Sequence, residues 1–255
     1  MTGIFITARA GSSRLQQKHL IPVLGKTMLH WLCARLTHEF SKEIASGEIK
    51  VVVATSEKDE NKIFLEPARA SGVDVFFGSD SNIPLRHLQC AERHNIDNII
   101  SVDGDDILCS FSAARSVFSA MMKDEGSDLF STHGLPLGMN VSGYTTDYLR
   151  KSLSEHQYHK METGWGRIFS QPKKHEIQLA DYDIMGDLRF TLDYPKDAEF
   201  FTTVINSFGE KIITVSDSDL IDMVQQKKMY LINSHLKSEY WENFNREKEK
   251  EVSDN

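Results

Sequence analysis

Three short apolar runs, separated by helical patterns, constrain this chain most. Gly3–Ala8 (GIFITA), Lys50–Thr55 (KVVVAT) and Asn98–Val102 (NIISV) are rich in β-branched residues and have no polar face. Runs of this kind read as strands buried on both sides, which occur in sheets covered by helices. Between them, Thr27–Phe40 sets Met28, Leu29, Leu32 and Leu36 at helical spacing. Ile63–Ser71 reads as a short helix, Asp74–Phe77 as a short strand ending at Gly78, and Pro84–His94 as a helix with Leu85, Leu88 and Ala91 on one side. Strand, helix, strand in repeated order predicts βαβ units and a mainly parallel sheet.

The second half is less regular. Asp128–Thr132 and Arg189–Leu192 read as strands, Gly134–Gly143 as a loop or hairpin, and Tyr148–Glu155 and Ala198–Phe208 as helices, while His156–Asp187 has no clear period. From Leu236 the chain is strongly charged (KSEYWENFNREKEKEVSDN) and reads as a solvated helix or a frayed tail. A chain of 255 residues suits one large α/β domain. We therefore expect one domain over residues 1–235, with 134–187 as an inserted subregion, and a charged tail over 236–255.

Composition removes several classes. With 29 basic and 37 acidic side chains the net charge is −8, which argues against broad nucleic-acid binding. No apolar run approaches the roughly 20 residues that span a bilayer, and MTGIFITARAGSS lacks the basic and long apolar regions of a secretory signal. Cys33, Cys90 and Cys109 are widely spaced, with no CxxC, and read as packed thiols of a reducing compartment. The expectation is a cytoplasmic protein.

The most informative segment follows the first strand: Ala8-Arg9-Ala10-Gly11-Ser12-Ser13-Arg14-Leu15-Gln16-Gln17-Lys18. In an open α/β sheet ligands lie outside the carboxyl ends of the strands, where this loop falls. Glycine and serine let backbone N–H groups approach an anion, and Arg9, Arg14 and Lys18 add charge and forked donors, so the natural guest is a polyphosphate. Gly25-Lys26-Thr27 is not the end of a P-loop, because the required earlier glycine is Leu20, and no GxGxxG follows the first strand.

Carboxylates end two further strands. Asp103-Gly104-Asp105-Asp106 follows NIISV and Asp193 follows RFTL. Carboxylates at neighbouring strand ends can share Mg²⁺, which binds one or two of them beside phosphate oxygens. Asp106 and Asp197 also suit helix caps, and Asp103 a turn. His156, His159 and Glu162 would lie on one side of a helix as metal ligands, against the frequency of such spacings by chance. Trp165, with Tyr158, His159 and Arg167, suits either an acceptor pocket or a hydrophobic anchor.

ITARAGSSRLQQKHLIPVLGKTML resembles the opening signature of the cytidylyltransferases that make CMP-activated sugar acids: the acylneuraminate and 3-deoxy-manno-octulosonate enzymes and the spore-coat polysaccharide branch. The pattern A-R-x-G-S-x-R-L-x-x-K-x-L, then G-K/P-x-M-L, is matched at Ala8, Arg9, Gly11, Ser12, Arg14, Leu15, Lys18 and Leu20, then Gly25, Met28 and Leu29. Gly104-Asp105 resembles the family's Q-G-D-E-P, with Asp103 and Ile107 departing from it, and Arg189–Asp197 resembles R-x-T-x-D-x-P-x-D-L. Val51–Ser56 and Gly72–Ser79 resemble its V-V-A-T and G-V-x-V-x-x-G-S/T elements, and Arg86 matches an arginine of the spore-coat branch. Gly138–Ser142 resembles a G-x-D-V-E element in which Asn140 and Ser142 replace both acids.

The resemblance implies a Rossmann-like, three-layer nucleotide-diphospho-sugar transferase fold with a mainly parallel central sheet. It implies that Ala8, Arg9, Gly11, Ser12, Ser13, Arg14 and Lys18 hold a nucleotide triphosphate, with Thr55, Ser79 and Arg86 near the base. Asp105 and Asp193 would hold Mg²⁺ as the cofactor, and Arg14, Lys18, Asp105 and Asp193 would form the catalytic set. The implied reaction joins CTP to a sugar acid, releasing pyrophosphate, in polysaccharide or glycoconjugate precursor synthesis, by a homodimer contacting through 134–187. A sugar-1-phosphate or phosphonate acceptor is the alternative, with Arg167, Lys173 or Lys174 gripping its phosphorus group; a non-catalytic nucleotide-binding homologue is another.

Overall fold

The computed structural model describes residues 1–12, 14–124, 126–156, 158–179 and 186–253. In chain order, β1 (Thr2–Thr7) leads through a long loop to a two-residue hairpin, β2 (Pro22–Val23) and β3 (Lys26–Thr27), and then to α1 (Met28–Glu39). There follow α2 (Ser41–Ser46), β4 (Ile49–Ser56), α3 (Leu65–Ala70), β5 (Asp74–Gly78), α4 (Ile83–His94), β6 (Asn98–Asp103) and α5 (Phe111–Met121). The second half supplies β7 (Leu129–His133), β8 (Ser142–Thr145), α6 (Thr146–Glu155), β9 (Lys174–Gln178), α7 (Pro195–Phe208), α8 (Asp217–Gln226) and α9 (Lys237–Ser253).

Among the described residues the main sheet has seven strands, ordered β5-β4-β1-β6-β8-β7-β9. β8 runs antiparallel to both neighbours and the remaining pairings are parallel. The register sets Thr7 beside Ala54 on one side and Asp103 on the other, so β1, β4 and β6 end level. That level edge is where an open α/β sheet binds ligands.

Alternation along β1 explains the three layers, because successive side chains of a strand point to opposite faces. Ile4 and Ile6 pack with Val51, Val53, Ile100 and Val102 under α1 and α5. Phe5 points to the other face, with Val52, Ala54 and Ile99 under α4 and α6. A third cluster, including Trp31, Phe190, Phe200 and Phe201, packs α7 and α8 beside the sheet. Threonine and serine side chains cap the helices at their starts: Thr27 accepts from the His30 N–H at 3.1 Å, and Ser110 from Ala113 at 2.8 Å.

The structure departs from or refines the sequence reading in four places. Arg189–Leu192 forms only an isolated bridge with Leu137, because its N–H groups are used singly: Phe190 donates to Leu137 O and Leu192 to Asp105 O. Within residues 134–187, β8 and β9 join the main sheet. His156, His159 and Glu162 do not share a helix, because α6 ends at Glu155. The charged C-terminus is a helix, α9, solvated on one side only; its other side lies across the cavity described below. Among the described residues no helix is long and apolar enough to cross a membrane.

Gly138 is required where the 134–141 loop meets the Phe190 backbone. Its φ is +86°, and a Cβ there would lie 2.3 Å from Phe190 O. Gly138→Ala should cost at least about 2 kcal/mol and lower Tm by roughly 4 °C or more; an unchanged melting curve would contradict this close approach.

Candidate active site

A cavity of about 940 Å³ opens at the carboxyl ends of β1 and β6. Its first wall is the loop after β1. Buried Asn61 fixes this loop to the end of β4: it accepts from the Ala10 N–H at 2.8 Å and donates to Ser56 Oγ at 2.7 Å. Ala8, Arg9, Gly11, Ser12 and Arg14 line the cavity from this segment, and Lys18 and His19 line it from the 3₁₀ turn that follows. Ser13 lies outside the described residues.

The floor is a network of charges around Lys18. Its Nζ lies 2.6 Å from Asp105 Oδ2 and 3.1 Å from Asp193 Oδ1. Arg14 Nη2 reaches the same Asp193 oxygen at 2.8 Å, and His19 Nε2 reaches Asp105 Oδ1 at 3.0 Å. Burial disfavours both cations, yet the carboxylates outweigh it and hold Lys18 and Arg14 above their ordinary range. Burial likewise acts against the Asp105 charge, but Lys18 and His19 hold its carboxyl well below the usual carboxylate range. Desolvation at the cavity floor and the Asp105 charge push Asp103 up to about 6, with the Lys18 charge opposing them. Asp106 is pushed up too, by burial and then by Asp103.

Glycine makes this floor possible. Gly104 donates to Thr7 O at 2.8 Å, and a Cβ on it would lie 2.6 Å from that oxygen and 3.0 Å from His19 Nε2. Without a side chain the turn after β6 comes close enough to β1 to bring Asp105 onto Lys18.

Asp193 is held from behind. The fully buried Asp197 accepts N–H bonds from Asp193 and Tyr194, both at 2.9 Å, in the first turn of α7. Arg189 bridges the two acids, with Nη2 at 3.2 Å from Asp193 and Nε at 3.0 Å from Asp197. Asn233 completes the cage by donating to Asp197 Oδ1 at 2.9 Å and to Arg189 O at 3.1 Å.

Arg86 is buried on a second wall, where it donates to Ser79 O and Asp80 O, both at 2.8 Å. Burial, aided by the Arg9 charge and opposed by Glu162, pulls Arg86 down to about 10. Glu162 itself pairs with Arg9. Trp165 lines the cavity and also packs edge-on against His87 and Tyr144, so it is both anchor and wall.

The site residues read from the sequence thus divide. Ala8, Arg9, Gly11, Ser12, Arg14, Lys18, Arg86, Asp105 and Asp193 all border one cavity. Thr55 is fully buried within β4, Ser79 offers its carbonyl to Arg86, and neither borders the cavity. Arg167 is spent on Glu251 and the Thr163 carbonyl, and Lys173 and Lys174 lie off the wall, so none is set to grip a second phosphate. Asn140 bonds to Leu135 O instead of facing the cavity. All three cysteines are buried, and burial pushes each thiol up to about 12, out of nucleophilic range.

Sequence reasoning overlooked His19, Arg189 and α9. His19 had a signal, its place directly after Lys18. Arg189 had one in the i, i+4, i+8 spacing Arg189, Asp193, Asp197. For α9 the signal is the spacing of Tyr240, Asn243, Phe244, Glu247 and Glu251, one helical stripe made largely of polar residues.

No group of three or more His, Cys, Asp or Glu side chains is arranged to hold a metal among the described residues. Asp105 and Asp193 nevertheless converge on one cation, the Lys18 ammonium. A pair of hard oxygen donors beside a cationic loop fits Mg²⁺, which completes its shell from water and other oxygen ligands.

An α/β sheet with a cationic loop after its first strand, and carboxylates converging from the end of β6 and the segment before α7, is the architecture of a nucleotidyltransferase. A family model described as cytidylyltransferase matches residues 4–236, and the chain belongs to that family. The spore coat polysaccharide biosynthesis protein SpsF of Bacillus subtilis is 26% identical over 228 residues, covering 87% of this chain and 92% of its own. A cytidylyltransferase structure from Leptospira borgpetersenii superposes with a TM-score of 0.79 at 25% identity, covering 91% of this chain and 97% of that one. CMP:2-keto-3-deoxy-manno-octonic acid synthetase, solved with CTP, shares the fold with a TM-score of 0.58 at 15% identity, covering 81% and 98%.

Removing Asp197 strands the Arg189 cation and frees Asp193. Asp197→Ala should therefore cost about 3–5 kcal/mol, and Asp197→Asn less, because the amide oxygen still accepts. Urea unfolding measures both; an Asp197→Ala variant as stable as the wild type would refute the charge pairing, and equal stabilities for the two variants would refute the part given to the accepted N–H bonds.

Proposed function

We propose that this protein is a Mg²⁺-dependent, CTP-using cytidylyltransferase that joins CMP to a sugar acid and releases pyrophosphate. The observation that carries the reading is the convergence of Arg14 and Lys18 with Asp105 and Asp193 on one open cavity. Family membership, the CTP-bound octonic acid synthetase and the spore coat polysaccharide role of SpsF support it, the last pointing to polysaccharide precursors.

The chemistry follows from the charges. The triphosphate lies along the loop from Ala8 to Lys18, with Arg9 exchanging Glu162 for phosphate and Gly11, Ser12 and Ser13 giving the backbone room to approach. The base lies toward Arg86 and Ile83. An acceptor hydroxyl attacks the α-phosphorus as the bond to the pyrophosphate oxygen breaks, and the hydroxyl proton passes to solvent water. Arg14 and Lys18 stabilise charge on the α-phosphoryl group and on pyrophosphate; fixed electrostatics of this kind dominate phosphoryl-transfer catalysis. Asp105 and Asp193 would hold the Mg²⁺, which draws charge from the phosphate oxygens. Asp197 and Arg189 keep Asp193 aimed. A cytoplasmic homodimer remains part of the proposal, with contact through residues 134–187.

The test is pyrophosphate release with Mg²⁺ and each of CTP, UTP, ATP and GTP against sugar acids, sugar phosphates and phosphonates. The expected result is release that requires CTP and an acid, and loss of about 10²-fold or more in kcat for Asp193→Asn with its Tm preserved. Release with another nucleotide, or an Asp193→Asn variant at the wild-type rate, would overturn the reading.

A further inference from the structure

The family match ends at residue 236, and α9 begins at Lys237. This helix is nevertheless built into the site by three anchors. Near its start, Tyr240 covers the Arg189 guanidinium, 4.3 Å from carbon to ring centroid, and so backs the arginine that holds Asp193. One turn on, Asn243 donates to the Tyr194 hydroxyl at 2.7 Å. At its far end the Glu251 carboxylate, only 3% exposed as a residue, accepts the N–H groups of Glu162 and Thr163 at 3.1 and 3.0 Å. Arg167 Nη2 adds a charge-assisted bond at 3.1 Å. Burying a carboxylate is costly unless donors surround it, so this is a specified docking contact and not a grazing one.

The helix lines the cavity from Tyr240, beside Arg189, to Glu251, beside Glu162. Leu137, Gly138, Thr191 and Tyr194 line the same cavity, together with the loop after β1 and Arg86, where the nucleotide lies under the proposed function. The cation that α9 contributes to the cavity is Arg246, which donates to Asn243 Oδ1 and stands 3.7 Å from Glu247. Its side chain is 62% exposed and borders the cavity. A planar guanidinium matches a carboxylate bidentately. Glu239 and Glu247 on the same wall suit hydroxyl donors and repel a dianionic phosphate.

We propose that α9 is the acceptor-binding wall of the cavity, with Arg246 contacting the carboxylate of the sugar acid and Glu251 acting as the positioning residue that docks the helix. This inference rests on the cytidylyltransferase reading of the cavity. It assigns the acceptor preference to a segment outside the family-matched span, so a relative with the same nucleotide loop and a different C-terminal helix would take a different acceptor.

The experiment uses the full chain with saturating CTP and Mg²⁺ and varied 3-deoxy-manno-octulosonate or N-acetylneuraminate as the probe acids. Arg246→Ala should raise the acceptor KM at least tenfold while the CTP KM stays within twofold, and Arg246→Lys should recover part of the loss. Glu251→Ala should raise the acceptor KM and speed hydrogen exchange at the Glu162 and Thr163 amides, whereas Glu251→Gln, which still accepts, should keep most of both. An unchanged acceptor KM in Arg246→Ala, or a parallel rise in the CTP KM, would overturn the proposal. Absence of pyrophosphate release by the wild type with any pair contradicts the cytidylyltransferase reading itself and removes the acceptor role with it. The exchange measurement needs no substrate: fast exchange at those two amides in the wild type overturns the docking regardless of activity.

Discussion

The site depends on one buried ammonium. Lys18 sits between Asp105 and Asp193, and each of these acids comes from a different part of the chain. A cation this enclosed is stable only with partners, and acids this close to each other are stable only with a shared cation. Each therefore fixes the others, and together they tie the loop after β1 to the ends of β6 and of the segment before α7. The result is a charged floor assembled before any substrate arrives, which is the condition under which electrostatics lowers a barrier without reorganisation.

The scaffold serves this floor at several levels. Parallel pairing in register ends β1, β4 and β6 on one line, and the missing side chain of Gly104 lets two loops touch across it. Asn61 pins the loop after β1, while Asp197, Asn233 and Arg189 brace Asp193 from the protein side. These braces face away from the substrate. They are polar groups buried in a core where an apolar side chain would pack as well, so their use is orientation, not hydrophobic stability.

What the sequence made legible follows from physical range. β1, β4 and β6 are buried on both faces, so their apolar runs identify them without knowledge of partners. The loop from Ala8 to Lys18 was legible because cations, glycine and serine lie together in the chain. Arg189–Leu192 resembled a strand because its apolar residues are buried, yet its backbone partners are scattered, which no local pattern reveals. Thr55 and Ser79 fall at strand ends, but neither borders the cavity. The helix reading of the C-terminus holds, but the inward side of α9 was missed because that stripe is built from Tyr, Asn, Phe and Glu, and a periodicity sought in apolar residues passes over it. Burial of Glu251 could be seen only once the Glu162 and Thr163 amides stood opposite.

The most direct test of the central claim is a crystal structure with Mg²⁺ and a non-hydrolysable CTP analogue. The account predicts the triphosphate along the loop from Ala8 to Lys18, Lys18 and Arg14 on phosphate oxygens, and one metal ion held by Asp105 and Asp193. A triphosphate bound away from that loop, or a metal bound without both aspartates, would contradict it.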